Sequence, residues 1–333
     1  MITRRTFTAG AAALLTASQI STRARAATTN WDMSTVWPDG NFHTQNAMAF
    51  AEEVKKQTSG AVNITVKAGG QLGFKGPEHL RAVRDGLVPL ADVLNIQQVG
   101  DEPFMGVESI PFLAGSMDEL KVLHKYVRPE YEKIAARNNQ KILYIVPWPT
   151  QYLHLKVKTT EVAGLKNIKI RVPDKNAVDM LNAVGMAAVM IPWGETIPAL
   201  ASGAVAGVST SAVSGVDGKF WEFLKYIYPT NHVWSSQMLN VNLDSWKALS
   251  PEQQKTITDI AAKMEPTFWA NSLKADADSL SRLKEGGMEV VPVSEAMITE
   301  IRTKTAPLMD AFVKRVPAAE QPVKAYLAEM KRG

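Results

Sequence analysis

No cysteine occurs in the 333 residues. That removes disulfides, thiolate nucleophiles and thiolate metal sites together. A chain of this length buries a core large enough to fold without cross-links. Histidine is also scarce: His43, His79, His124, His154 and His232 are scattered. None forms a His-x-x-x-His pair, so a zincin-like metal site is excluded. The glycine-rich residues 69–77 have neither Gly-x-Gly-x-x-Gly nor Gly-x-x-x-x-Gly-Lys spacing, so they do not read as a phosphate cradle. Gly207-Val208-Ser209-Thr210-Ser211 lacks the last glycine of a nucleophile elbow. No cofactor and no metal are expected. Beyond the N-terminus no apolar run is long enough to span a bilayer. Internal repeats, low-complexity tracts and flexible linkers are also missing.

The positive charge is largely an N-terminal matter. The formal net charge is +4. Residues 1–26 hold Arg4, Arg5, Arg23 and Arg25 and no acidic residue. Arg4-Arg5 opens the chain, residues 9–20 are apolar, and Ala24-Arg25-Ala26 offers small residues to a peptidase. This reads as a twin-arginine-like export signal cleaved near Ala26–Ala27, with periplasmic delivery. A weak membrane anchor is the alternative, for which the apolar run is too short. Without the segment, Lys+Arg falls from 37 to 33, against 33 Asp+Glu. Near-neutral charge gives no case for nucleic-acid binding.

What is present is a mixed, globular composition with room for two domains. Its organising stretch is residues 164–203. Ile168, Ile170 and Val172 alternate as a strand with one buried face. Pro173 ends the ladder and Asp174 can cap a helix. Lys169 and Arg171 share the other face, near the strand end where α/β sheets present ligands. Arginine offers a planar fork that fits a carboxylate. A surface cation or structural ion pair is the bland alternative.

Around this core the periodicity predicts strands at 29–36, 61–67, 86–96, 141–146, 152–157, 187–191, 233–243 and 288–293. It predicts helices at 43–58, 78–85, 117–138, 174–184, 195–202, 252–285, 294–316 and 321–332. The βαβαβ start implies a mostly parallel sheet. Ser250-Pro251 starts the longest helix with a cap and a first-turn proline. Pro266 is expected to bend it.

The run Gly164-Leu165-Lys166 to Val172-Pro173, then Gly185, Ile191-Pro192-Trp193-Gly194-Glu195 to Leu200 and Gly203, resembles the core signature of DctP-type substrate-binding proteins of TRAP (tripartite ATP-independent periplasmic) transporters. Gly70-Gln71-Leu72-Gly73, Asp85-Gly86, Ala91-Asp92 and Pro111-Phe112-Leu113 match the same family in order. The resemblance implies a two-lobed α/β periplasmic-binding-protein-like fold, helices on both sheet faces and a long bent helix spanning both lobes. The expected division is 27–150 plus roughly 235–265 for lobe I, and 151–234 plus roughly 266–333 for lobe II. The ligand would lie between them.

By the same resemblance Arg171 binds the ligand carboxylate, and Trp193 covers its body. Trp37 is a candidate at the turn after the first strand, as is His43, with core packing the alternative for each. Where the family often has a second arginine, this chain has Gln151. Ala206 replaces the usual acid of a Gly-x-Val-Asp-Gly run, and Ser209, Thr210 and Ser211 follow as uncharged hydroxyls. Phe74, Trp148, Trp234 and Gln237 complete the polar and aromatic supply. One positive charge and many rings suggest a monocarboxylate with a hydrophobic or aromatic body. A C4-dicarboxylate or sugar acid is the alternative within the family; an exported hydrolase is the alternative outside it. The implied partner is a TRAP membrane permease, with no catalysis and a monomeric receptor.

Overall fold

The computed structural model describes residues 28–332; the export signal and its boundary near Ala26–Ala27 lie outside them. The chain begins with β1 (Thr29–Ser34), α1 (Phe42–Gln57), β2 (Val62–Lys67), α2 (His79–Arg84) and β3 (Leu90–Leu94). The long α3 (Met117–Arg137) and β4 (Gln140–Pro147) follow. Then come β5 (Tyr152–Leu155), β6 (Lys169–Val172), α4 (Lys175–Ala183), β7 (Ala187–Met190), α5 (Trp193–Ala201), β8 (Gly207–Thr210), α6 (Ala212–Asp217) and β9 (Tyr226–Tyr228). The chain closes with β10 (Ser236–Asn242), α7 (Leu243–Lys247), α8 (Pro251–Glu285), β11 (Glu289–Val290), α9 (Glu295–Thr305), α10 (Pro307–Arg315) and α11 (Glu320–Glu329).

The strands build two sheets, ordered β2-β1-β3-β10-β4 and β11-β9-β5-β8-β6-β7. Helical crossovers set β1 parallel to both β2 and β3, and β6 parallel to both β7 and β8. The mostly parallel expectation needs one refinement. β10 runs antiparallel to β3 and β4, and β5 antiparallel to β8 and β9. These are the strands on either side of the two crossings between sheets, so they reverse direction as the chain passes over. The crossings lie side by side, with Trp148 N donating to Ser235 O at 2.8 Å and Gln151 N to Val233 O at 3.1 Å.

Helix starts follow their caps. Asn41 accepts from His43 N at the head of α1, which buries Ala47, Phe50, Ala51 and Val54. Ser250 and Gln253 form a capping box at α8, with Pro251 in its first turn. Helix α8 runs 35 residues through Pro266, whose ring nitrogen cannot donate to the Ala262 carbonyl. Ile257, Ile260 and Phe268 pack with Phe50 and Tyr144 under the first sheet, whereas Leu283 packs with Phe220 and Ile227 under the second. The helix therefore belongs to both lobes.

Several elements depart from the sequence expectations. Residues 203–228, to which the periodicity assigned no helix or strand, fold into β8, α6 and β9. The single helix expected at 294–316 is two, because α9 ends at Thr305 and Pro307 starts α10 after the single intervening residue Ala306. Residues 266–333 were expected with the second lobe. The end of α8, β11 and α9 do pack there, through Leu283, Met288, Val291, Met297 and Ile301. Phe312, Val316, Val323 and Tyr326 instead enter the core of the first lobe beside Met105 and Leu120, and Tyr326 Oη donates to Leu113 O at 2.9 Å.

Candidate functional site

Arg171 lies one residue before the end of β6, on the face turned to the other lobe. It is 2% exposed. Its Nε donates to Ile191 O at 2.8 Å, which fixes the side chain along the β7–α5 turn. Neither terminal nitrogen has a hydrogen bond among the described residues, and no carboxylate lies in ion-pair range of it. Burial lowers its pKa to about 10, with Asp174 opposing the shift, so the group stays cationic at neutral pH. Asp174 is committed elsewhere. Its Oδ1 accepts from Asn176 N at 2.8 Å and Ala177 N at 3.2 Å, capping α4. Burial raises its pKa to about 6.

The guanidinium opens on a cavity between the lobes that Trp37, Trp148, Gln151, Trp193 and Thr210 also line. Among the described residues Arg171 is its only charged lining residue. Trp37 and Trp148 meet edge to face at 4.5 Å, and Trp193 lies 5.6 Å from Trp37 between ring centroids. The Trp193 ring centroid is 6.0 Å from the Arg171 guanidinium carbon. Little space is left, about 20 Å³ for water-sized centres, enough for one or two waters. A second cavity of about 290 Å³ adjoins it, between the loop carrying Gly73, Phe74 and Gly76 and the start of α5. Trp193 lines both, so its indole is the wall between them.

Six of the ten expected ligand residues thus meet at one cavity: Arg171, Trp193, Trp37, Trp148, Gln151 and Thr210. Four do not. Phe74 lines the outer cavity. Ser209 turns into the lobe, where its Oγ lies 3.0 Å from His232 Nε2. Ser211 caps α6 by accepting from Ser214 N at 3.3 Å. Gln237 sits behind Trp148, accepting its Nε1–H at 2.9 Å and donating to Asp92 O at 2.8 Å. Strand alternation accounts for the hydroxyls: adjacent residues of β8 face opposite ways, so Thr210 reaches the cavity and Ser209 cannot. His43 and Trp234 also pack elsewhere, His43 stacked against Phe42 and Trp234 donating to Ala114 O at 2.9 Å. Gln97, Ser214 and Ser235 are lining residues the sequence did not single out. They come from segments whose burial is decided by the opposite lobe.

A hydrolytic reading finds three serine–histidine pairs among the described residues, Ser34 with His79, Ser236 with His124, and Ser209 with His232, whose Nδ1 lies 2.7 Å from Thr230 Oγ1. All three are buried, and none lines the cavity. Burial lowers the His232 pKa to about 3, so the ring is neutral. Among the described residues no cluster of His, Cys, Asp or Glu could hold a metal ion. A larger groove of about 720 Å³ runs between α1 and α8, but Glu52, Glu53, Asp259 and Lys263 line it on the outer surface. It converges on no buried polar group.

The signature of bacterial extracellular solute-binding protein family 7, DctP, matches residues 33–315. The chain belongs to this family. It is a TRAP-type solute receptor and not an enzyme. Among solved structures, a Bordetella pertussis extracytoplasmic solute receptor binding pyroglutamic acid is 28% identical, with 90% of this chain and 99% of that chain covered and a TM-score of 0.86. A marine metagenome TRAP solute-binding protein in complex with co-purified pyroglutamate is 27% identical, with the same coverages and TM-score. The monocarboxylate 2-oxoacid-binding periplasmic protein of a Nostoc strain is 25% identical over 80% of this chain and 75% of its own. Family members act outside the cytoplasm, and no helix among the described residues is long and apolar enough to cross a membrane.

Proposed function

We propose that this receptor captures a small monocarboxylate with a largely apolar body and delivers it to a TRAP membrane permease. The observation that carries the reading is a fully buried guanidinium with no anionic partner. A buried cation without a counter-ion is expensive, and an incoming carboxylate supplies what is missing. Gln151, Thr210 and the indoles add no charge, so the cavity offers one positive charge to one negative charge. A second carboxylate, as in a C4-dicarboxylate, would find no cation. The relatives point the same way, since pyroglutamate and the monocarboxylate 2-oxoacids each carry a single carboxylate.

The lobes are the moving parts. One is residues 27–150 with roughly 235–265 and the C-terminal helices α10 and α11. The other is 151–234 with the end of α8, β11 and α9. The two crossings and α8 are the hinges. The cleft described here is too full for an acid of pyroglutamate size, so entry requires the lobes or the Trp193 ring to move aside. Closure then dries the site and strengthens the ion pair.

A thermal-shift panel of aliphatic, sugar and aromatic acids on the chain from residue 27 tests the proposal. A ligand at about 1,000 times its dissociation constant stabilises by about 4 kcal/mol, a shift of several degrees. Shifts confined to monocarboxylates are expected. Shifts with malate or succinate and none with monocarboxylates would refute the charge argument.

A further inference from the structure

The three indoles around the cavity are chemically unequal. Trp148 spends its N–H inside the protein, on Gln237 Oε1 at 2.9 Å. Trp37 is 4% exposed, and its Nε1 has no acceptor among the described residues. Gln151 is also 4% exposed, and its Oε1 has no donor. Both side chains line the cavity into which Arg171 opens, and they do not bond each other. Buried polar atoms are almost always paired, so these two atoms, together with Gln97 Oε1 in the same cavity, call for an explanation. An indole N–H only donates, and a carboxamide oxygen only accepts. The partner missing from this cavity therefore presents an acceptor to Trp37 and a donor to Gln151.

We infer that Trp37 and Gln151 are a specificity-determining pair that reads a neutral amide in the ligand, with its carbonyl on Trp37 and its N–H on Gln151. The inference rests on the reading of Arg171 as the carboxylate partner, and it narrows the ligand class to amide-bearing acids. A lactam acid places donor and acceptor on adjacent atoms at one end and the carboxylate at the other, with an apolar ring edge for Trp193. A plain hydrocarbon acid leaves both buried groups unpaired, which is how a polar site rejects an apolar analogue.

Titration calorimetry with three acids of one size separates the parts. Pyroglutamate carries the full amide. Its lactone analogue, 5-oxotetrahydrofuran-2-carboxylate, keeps the carbonyl and loses the N–H. Cyclopentanecarboxylate has neither. The unmodified receptor is expected to bind them in that order, with pyroglutamate over cyclopentanecarboxylate by about 100-fold or more. Gln151→Met should abolish the lactam–lactone preference, and cyclopentanecarboxylate, which no longer strands a buried carboxamide, should bind at least as tightly as before. Trp37→Phe should abolish the lactone–cyclopentane preference. Because Trp37 is deeply packed, Gln151→Met alone suffices for the decision, and retained cyclopentanecarboxylate binding reports that its cleft is intact. Equal binding of all three acids, or variants that keep the preferences, would overturn the inference and leave the carboxylate reading standing; so would a Gln151→Met receptor that loses every acid equally. Failure of the unmodified receptor to bind any of the three would overturn the carboxylate reading and the inference with it.

Discussion

Two buried polar clusters, one in the first lobe and one at the cleft, look alike in composition and differ in bookkeeping. In the first, Glu108 accepts from Tyr131 Oη at 2.9 Å and from Ser236 Oγ at 2.7 Å. Asn95 donates to Tyr131 Oη at 3.3 Å and accepts from Ser236 N at 3.0 Å, and His124 Nε2 sits 3.2 Å from Glu108 Oε1. Only the other ring nitrogen of His124 lacks a partner. At the cleft, Arg171 has free terminal nitrogens, and Trp37, Gln97 and Gln151 each carry an orphaned atom. A saturated buried network holds a core in register; unpaired atoms gathered in one cavity beside an unpaired cation are what the proposed ligand would satisfy. Burial alone would have ranked the two equally.

Removing one member from each should therefore give opposite results. Glu108→Ala leaves the Tyr131 and Ser236 hydroxyls unpaired in a dry core, and should lower unfolding stability by about 3–5 kcal/mol. The protein that remains folded should bind its acid as before. Arg171→Ala should do the reverse. Ligand affinity should fall by about 2–5 kcal/mol, while stability holds or rises, since a buried unpaired cation has gone. Urea unfolding and calorimetry on both variants check the pair. If Arg171→Ala unfolds the receptor and spares affinity, the distinction between the clusters fails.

The difference between the clusters was only partly legible in the sequence. Alternation placed Arg171 opposite Ile170 and Val172, beside a strand-ending proline, but a surface cation fits that pattern equally, and the family resemblance gave it a ligand role. Trp37, Trp148 and Trp193 could be found as rings near turns. Nothing local distinguished Trp148, whose N–H is satisfied by Gln237 from 89 residues away, from Trp37, whose N–H is not. Glu108 went unremarked, because its partners lie on α3 and β10, far along the chain. The outline of the fold was readable from periodicity. The short buried elements β8, α6 and β9 were not, because every residue of β8 and most of α6 are buried and so show no alternation. Lobe membership of α10 and α11 was hidden for a similar reason: an apolar helix face does not name the surface it covers.

Two weaker contacts cross the cleft and sharpen the comparison at its edge. Asn41, at the cap of α1, donates to Asp217 Oδ2 at the end of α6, at 2.6 Å. Burial raises the Asp217 pKa to about 6, against the pull of Asn41 and Arg282. A carboxyl raised on closure holds a proton that the open, solvated form releases. The closed form is therefore favoured as pH falls through 6 towards 4, and this advantage is lost as pH rises. If the open form has an ordinary carboxyl pKa, affinity should rise about tenfold from pH 7 to pH 5. Arg171 stays cationic, and a ligand carboxylate stays ionised, across that range. Asp217→Asn should flatten the profile; a slope that survives the substitution places the titrating group elsewhere.

The second contact, Lys75 Nζ to Glu195 Oε1 at 2.7 Å, joins the glycine-rich loop to α5 at the mouth. Both side chains are about half exposed, at 57% and 54%. Solvent screens such a pair and side-chain freedom opposes it, so Lys75→Ala should change affinity by no more than about twofold. What effect there is should vanish in high salt, whereas the Arg171 contribution, formed in a dry cavity, should persist. Measuring both variants at low and high ionic strength therefore asks whether charge at the rim and charge in the cavity obey different rules. A salt-insensitive loss at Lys75, as large as that at Arg171, would mean that the mouth is as dry as the interior and that the line between the two regions is drawn in the wrong place.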